Sequence, residues 1–179
     1  KALDGGNERV IYIGTLSKLL APGLRLGFLV APDDLIDALC AVRNGTDHRV
    51  PMPLQATAAD FIGHGHLGAH IRRSKVLYTE RRAALLSAID SEGSGTLSMQ
   101  TASTGLHLVT ELPSHCNDQA IAVAARKRQI GVTPLSAYYV DTPNIKRQGL
   151  LMGFGNTHSE SMKGAIRTLC CLIESTERH

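Results

Sequence analysis

Two apolar runs, residues 9–13 and 24–31, enclose the stretch Gly14-Thr15-Leu16-Ser17-Lys18, and Arg25 follows the lysine by seven residues. A lysine amine forms a Schiff base with an aldehyde when its neutral form is held within reach of the carbonyl. Two hydroxyls, Thr15 and Ser17, and the guanidinium fork of Arg25 are donors suited to a phosphate. An aldehyde and a phosphate on one small molecule describe pyridoxal 5'-phosphate, with Lys18 for the aldehyde and Thr15, Ser17 and Arg25 for the phosphate. Spacing alone leaves a second reading open, in which Lys18 is solvated at a strand end and Arg25 pairs with an acidic neighbour.

Other clusters carry less chemistry. His64, His66 and His70 stand at spacings of two and four, but no cysteine or carboxylate lies close in sequence to complete a metal set, so no metal site is expected. Arg72, Arg73, Lys75, Arg81 and Arg82 lack interleaved aromatics and read as a solvated or domain-contacting helix face rather than a nucleic-acid stripe. The glycines of Ser91-Glu92-Gly93-Ser94-Gly95 lack the order of a phosphate loop and read as a turn. Cys40, Cys116, Cys170 and Cys171 show no C-x-x-C spacing and are expected to be reduced, structural thiols. The net charge is +3 with basic residues scattered, which by itself implies no nucleic-acid partner. Neither a membrane span nor a secretory leader is visible, so a cytoplasmic location is expected. The chain opens on Lys1 rather than methionine, which suggests a fragment.

These residues need elements to position them, and the pattern is α/β throughout. Residues 9–13 form a continuous β-branched run of the kind that suits a strand buried on both faces. The second run, residues 24–31, is closed by Pro32, after which Asp33 and Asp34 complement the positive end of a helix carrying Leu35, Ile36, Leu39 and Val42. Asn44-Gly45 and two prolines mark residues 44–53 as loop. A helical stretch follows over about residues 54–89, interrupted near Gly63 and Gly65, with Leu67, Ile71, Tyr78, Leu85 and Ile89 as its core-facing stripe. Then come a strand over 105–112, a helix from about Asn117 to Gln129, a short strand at 130–133, a polar loop over 141–148 and a strand over 149–154. A final helix from Ser159 turns Met162, Ile166, Leu169, Cys170 and Ile173 inward.

Residues 10–32, VIYIGTLSKLLAPGLRLGFLVAP, resemble the lysine segment of fold type I pyridoxal phosphate enzymes, the aspartate aminotransferase superfamily. The resemblance implies that Lys18 forms the Schiff base and that Thr15 and Arg25, with Ser17, bind the phosphate. Residues 54–89, with HIRRSKVLYTERR at their centre, are similar to the segment after the lysine in GntR/MocR-type bacterial transcription regulators. Those regulators join a winged-helix DNA-binding domain to an aminotransferase-like domain that senses pyridoxal phosphate or an amino compound. Kynurenine and aminoadipate aminotransferases share the lysine stretch and match this helix less well.

By that resemblance the fold is the end of the large cofactor lobe, residues 1–45, followed by the small C-terminal lobe with its linking helices, residues 46–179. The implied function is the pyridoxal-phosphate-binding effector domain of a GntR/MocR-type regulator, the alternative being an aminotransferase of the kynurenine or aminoadipate type. The family's partner for the pyridine nitrogen, its stacking aromatic, its glycine-rich phosphate turn and its DNA-binding domain lie upstream of this stretch, so these residues alone are not expected to catalyse. The implied partners are an amine or pyridoxal phosphate effector, DNA through an N-terminal domain only, and a second copy in a homodimer, with no membrane. Tyr138 and Tyr139 stand where the family brings the small lobe toward the active site. Leu151 stands where family aminotransferases commonly place the arginine that grips the substrate α-carboxylate, and Arg147 lies four residues before it.

Overall fold

The computed structural model describes residues 9–46, 51–93, 95–100, 105–140 and 147–176. They fall into two compact units, Lys1–Arg73 and Ser74–His179.

The first unit begins with a two-stranded antiparallel ribbon, β1 (Tyr12–Thr15) and β2 (Gly27–Val30). Its register pairs Tyr12 with Val30, Gly14 with Phe28 and Thr15 with Gly27. Phe28 lies across Gly14, where a Cβ would stand 2.2 Å from the ring, and its ring packs on Tyr12 with centroids 5.9 Å apart. A side chain at position 14 would have to push the Phe28 ring aside. The run read as a strand buried on both faces is instead a ribbon with Tyr12 50% and Ile13 74% exposed, because among the described residues no layer covers either face. The buried residues described in this unit are Leu16, Leu26 and Pro32.

Helix α1 (Asp33–Thr46) opens on Asp33 and Asp34 and has Arg43 in its last turn, charges that oppose the helix dipole at both ends. It continues through Asn44 and Gly45, where the sequence suggested a loop. Those residue types are tolerated in a final turn, and Thr46 closes it by donating to the Val42 carbonyl at 2.9 Å. Residues 47–50 of that loop lie outside the described set, as do residues 141–146 of the later polar loop. Helix α2 (Met52–Gly63) ends where the sequence signalled a break, and Gly65 takes φ +76 before α3 (His66–Glu92) begins.

The second unit, which begins within α3, holds a four-stranded antiparallel sheet. Its strands are β3 (Ser98–Gln100), β4 (His107–Glu111), β5 (Val132–Pro134) and β6 (Gly149–Gly153), in the order β3-β4-β6-β5. Helices α4 (Asp118–Lys127) and α5 (Ser159–Thr176) complete it. Leu108, Thr110, Leu150 and Met152 alternate onto the inner face of the sheet. Ile121, Ala125, Phe154, Ile166, Leu169 and Ile173 fill the same core with Leu85 and Ile89 of α3. Each fully buried Leu, Ile or Phe side chain contributes roughly 1.5–3 kcal/mol, so this core, rather than the ribbon, carries the stability. Gly149 is required by packing, since a Cβ there would stand 2.5 Å from the Thr110 carbonyl oxygen. No disulfide joins the four cysteines: Cys116 and Cys170 lie in the core, while Cys40 and Cys171 are exposed. Burial pushes the Cys170 thiol pKa up, with Glu174 adding to it.

Candidate cofactor site

The β1–β2 ribbon positions the lysine segment. Thr15 is the last residue of β1, and its hydroxyl donates to the Leu26 carbonyl at 3.3 Å while accepting the Ser17 N–H at 3.1 Å. The ladder continues one residue further, from Leu16 N–H to Leu26 O at 2.9 Å. The chain then coils, with Leu19 and Leu20 donating back to Leu16 O at 3.2 and 2.8 Å. Lys18 stands exposed on this coil. Leu16 and Leu26, each 8% exposed, anchor it from beneath.

Arg25 reaches the same end of the ribbon from the other strand. A short 3-10 turn, Pro22–Leu24, starts on a proline whose fixed φ suits a first helical position. It ends at Arg25 with φ 49 and ψ 30, left-handed backbone held by a 3.4 Å bond from Arg25 N–H to Pro22 O. A non-glycine residue there costs about 1 kcal/mol, and such strain is commonly kept where a side chain has work to do. Thr15, Ser17, Lys18 and Arg25 therefore gather where the two strands diverge. The group combines one amine, two hydroxyls and one guanidinium on an accessible surface. This donor set fits a ligand carrying both a carbonyl and a phosphate.

The remaining candidates are dispersed. In the first unit the His64 and His66 rings stack with centroids 6.1 Å apart, and His64 Nδ1 lies 2.8 Å from the Asp60 carbonyl oxygen. Along α3, Arg72, Arg73 and Lys75 are exposed, but Arg81 is not a solvated charge: its guanidinium donates to the Gly155 carbonyl in the turn after β6. In the second unit Tyr138 is 62% exposed and Tyr139 half-buried. Leu151 lies on the outer face of the sheet between Val109 of β4 and Thr133 of β5. Arg147, on the approach to β6, forms an ion pair with Glu111 at 3.3 Å.

Sequence reasoning missed Asp118. It is 1% exposed, and its carboxylate accepts from Ser136 N at 2.9 Å, Ser136 Oγ at 2.6 Å and Gly149 N at 3.2 Å. Its own N–H donates to Gln148 Oε1 at 3.0 Å, while the preceding Asn117 caps α4 by accepting from Ala120 N. One buried carboxylate thus fixes the start of α4, the Leu135–Tyr138 turn and the start of β6 together. The available signal was a pair of helix-capping side chains, Asn117 and Asp118, where one suffices.

Residues 2–150 match the family model for aminotransferase class I and II. The chain is 32% identical over 161 residues to the probable rhizopine catabolism regulatory protein MocR of Rhizobium meliloti, covering 90% of this chain and 32% of that protein. It therefore spans about a third of the length of that relative. Among solved structures, the multiple substrate aminotransferase of Thermococcus profundus superposes with a TM-score of 0.84 at 26% identity, over 96% of this chain and 42% of the other. The Pyrococcus horikoshii kynurenine aminotransferase, solved in complex with PMP, gives 0.82 at 25% identity over 95% of this chain and 42% of the other. Two lines of likeness, one to a regulator and one to aminotransferases, each cover at least 90% of the chain, and the chain belongs to the aminotransferase class I and II family.

Proposed function

We propose that this chain is the pyridoxal-phosphate-binding effector domain of a GntR/MocR-type transcription regulator. The observation that carries the reading is the bond from Leu16 N–H to Leu26 O, which gathers Thr15, Ser17, Lys18 and Arg25 at one end of the ribbon. The likeness to the MocR protein over 90% of the chain supports the regulatory side of it.

When bound, the cofactor supplies an aldehyde that exchanges between a lysine and an incoming amine. The residues of this chain do the rest. Arg25 offers a fork of donors and a fixed positive charge to the phosphate. Thr15 can turn its hydroxyl from the long 3.3 Å bond with Leu26 O to a phosphate oxygen. Ser17 adds a second hydroxyl, and Lys18 presents its amine to the carbonyl. An amine that displaces Lys18 changes the free energies of the two conformations of the regulator unequally, and that difference is what alters DNA binding. DNA contact comes through an N-terminal domain, in a cytoplasmic homodimer.

A second reading, an aminotransferase, is favoured by the solved structures that resemble this chain. Lys18 would then move a proton at the substrate α-carbon. Leu151 opposes that reading, because a leucine cannot make a bidentate pair with an α-carboxylate. The test is borohydride reduction of the full-length protein with pyridoxal phosphate, followed by peptide mapping. The label is expected on Lys18 and lost in Lys18→Ala. A label on another lysine, or none, overturns the cofactor reading.

A further inference from the structure

Within the second unit, a cleft of about 210 Å³ opens between the later turns of α3, the segment after α4, the end of β6 and the first turns of α5. Leu85, Met152, Met162, Ile166 and Leu169 form its floor. At the rim stand Gln129, Thr157 and Ser161, and no lining side chain is charged. None of these residues belongs to the lysine segment, so the cleft is independent of the cofactor reading.

Protein interiors pack as densely as organic crystals, and an unfilled void leaves dispersion contacts unmade on every wall. Here small residues keep the walls apart: Gly131 on one side, Ala165 of α5 on the other. The apolar floor offers water no hydrogen-bond partners, so a small apolar occupant displaces water that is held only at the rim. Two methionines in the floor have flexible, polarisable side chains that adapt to an occupant.

The rim is polar in one sense only. Ser161 Oγ already donates to His158 O at 2.8 Å and Thr157 Oγ1 to Gly153 O at 3.5 Å, so both oxygens keep lone pairs for a donor on the ligand. Gln129 holds φ +62, left-handed backbone that glycine would adopt without strain. It is the left-handed residue that ends α4, with Gln129 N–H donating to Arg126 O and Ile130 N–H to Ala125 O, both at 3.0 Å, and this turn sets the Gln129 amide at the opening.

We propose that this cleft binds one small, neutral, mainly apolar molecule with a single N–H or O–H donor, of the indole or phenol class. A cavity of 150 Å³ takes benzene, so the volume here suits about eight or nine non-hydrogen atoms. The apolar ring lies on Met152 and Met162 and its donor points to the Thr157 and Ser161 oxygens.

The chain has four methionines, and only two of them line the cleft, which provides an internal control. With methionine methyl groups labelled with carbon-13, indole is titrated into the protein. The Met152 and Met162 signals are expected to shift and saturate while those of Met52 and Met99 stay in place. Ala165→Phe fills the cleft and Ser161→Leu, on an exposed position, blocks its rim. At least tenfold weaker binding in whichever variant keeps the parent's thermal transition supports the site. Signals that never saturate, shifts of similar size at all four methionines, no shift up to the solubility of indole, or unchanged affinity in a folded blocking variant each overturn it.

Discussion

Arg167 of α5 grips the carboxylate of Glu92, at the end of α3, side-on: Nε donates at 2.7 Å and Nη2 at 3.2 Å. Lys163, one turn earlier, approaches the same carboxylate at 3.4 Å. The hydrogen bond from Arg167 holds the Glu92 carboxyl below the ordinary carboxylate range, against a smaller opposing effect of burial. Glu92 in turn raises the Arg167 guanidinium pKa.

A carboxyl depressed by folding stabilises the folded state at neutral pH. That contribution is lost as the pH falls below the ordinary carboxylate range and through the lower value Glu92 has in the fold. Glu92→Gln is therefore expected to lower Tm at pH 7 and to make progressively less difference on acidification. The gap at pH 7 should also narrow in 1 M salt, because the Arg167 and Lys163 side chains are open to solvent and screened. Thermal melts of both proteins across pH and salt check this, and a gap that persists at pH 2 would contradict it.

Asp118 is a different case, since its acceptors serve buried backbone donors. Asp118→Ala leaves the N–H groups of Ser136 and Gly149 without their partner and is expected to cost about 2–4 kcal/mol in urea denaturation. Asp118→Asn keeps one carbonyl acceptor and should cost about half as much. Equal losses in the two variants would mean that the charge, rather than the acceptors, holds the three segments.

Arg25 allows stability and binding to be separated. Arg25→Gly relieves left-handed backbone while adding chain entropy, so folding stability should change by less than about 1 kcal/mol. Affinity of the full-length protein for pyridoxal phosphate should fall about 10- to 100-fold, the equivalent of one lost charge-assisted contact. Denaturation and cofactor titration on the same preparation provide both numbers.

Leu151 is half-buried on the outer sheet face, between Val109 and Thr133, with Gly149 and Gly153 as its same-face neighbours along β6. Leu135 stands against Gly149 and His107 against Gly153, so a longer side chain at position 151 has to extend outward from the partly exposed face. The full-length protein is expected to turn over no ordinary α-amino acid, and Leu151→Arg is expected to gain a response to amino acids in the absorbance of the bound cofactor. Arg147 does not replace the missing charge while it is paired with Glu111. Rapid transamination by the parent would refute the regulatory reading.

What the sequence made legible was local. The stripe Met162, Ile166, Leu169, Cys170 and Ile173 is buried as its spacing indicated, because helical period is written in neighbouring residues. The break at Gly65 was readable for the same reason. The contacts of Asp118 were not, since Ser136 lies 18 and Gly149 31 residues away and no local pattern links them. β3 is only three residues long and gave no periodic signal. At the candidate site, the spacing of Thr15, Lys18 and Arg25 was visible. The left-handed backbone of Arg25 was not, because that conformation is normally signalled by glycine.

Pro134 in β5 has a consequence for how copies of this chain meet one another. β5 and β3 are the two edges of the four-stranded sheet, each three residues long, and the proline withholds one N–H from its edge. Short edges and proline are the features that keep a sheet from growing sideways into a neighbour. The ribbon's strands are also short, four residues each, but they read YIGT and GFLV, without charge or proline, and each has an outer edge unpaired among the described residues. A two-stranded ribbon is marginal on its own, so the hold of β1 and β2 on the lysine segment depends on what else pairs with them.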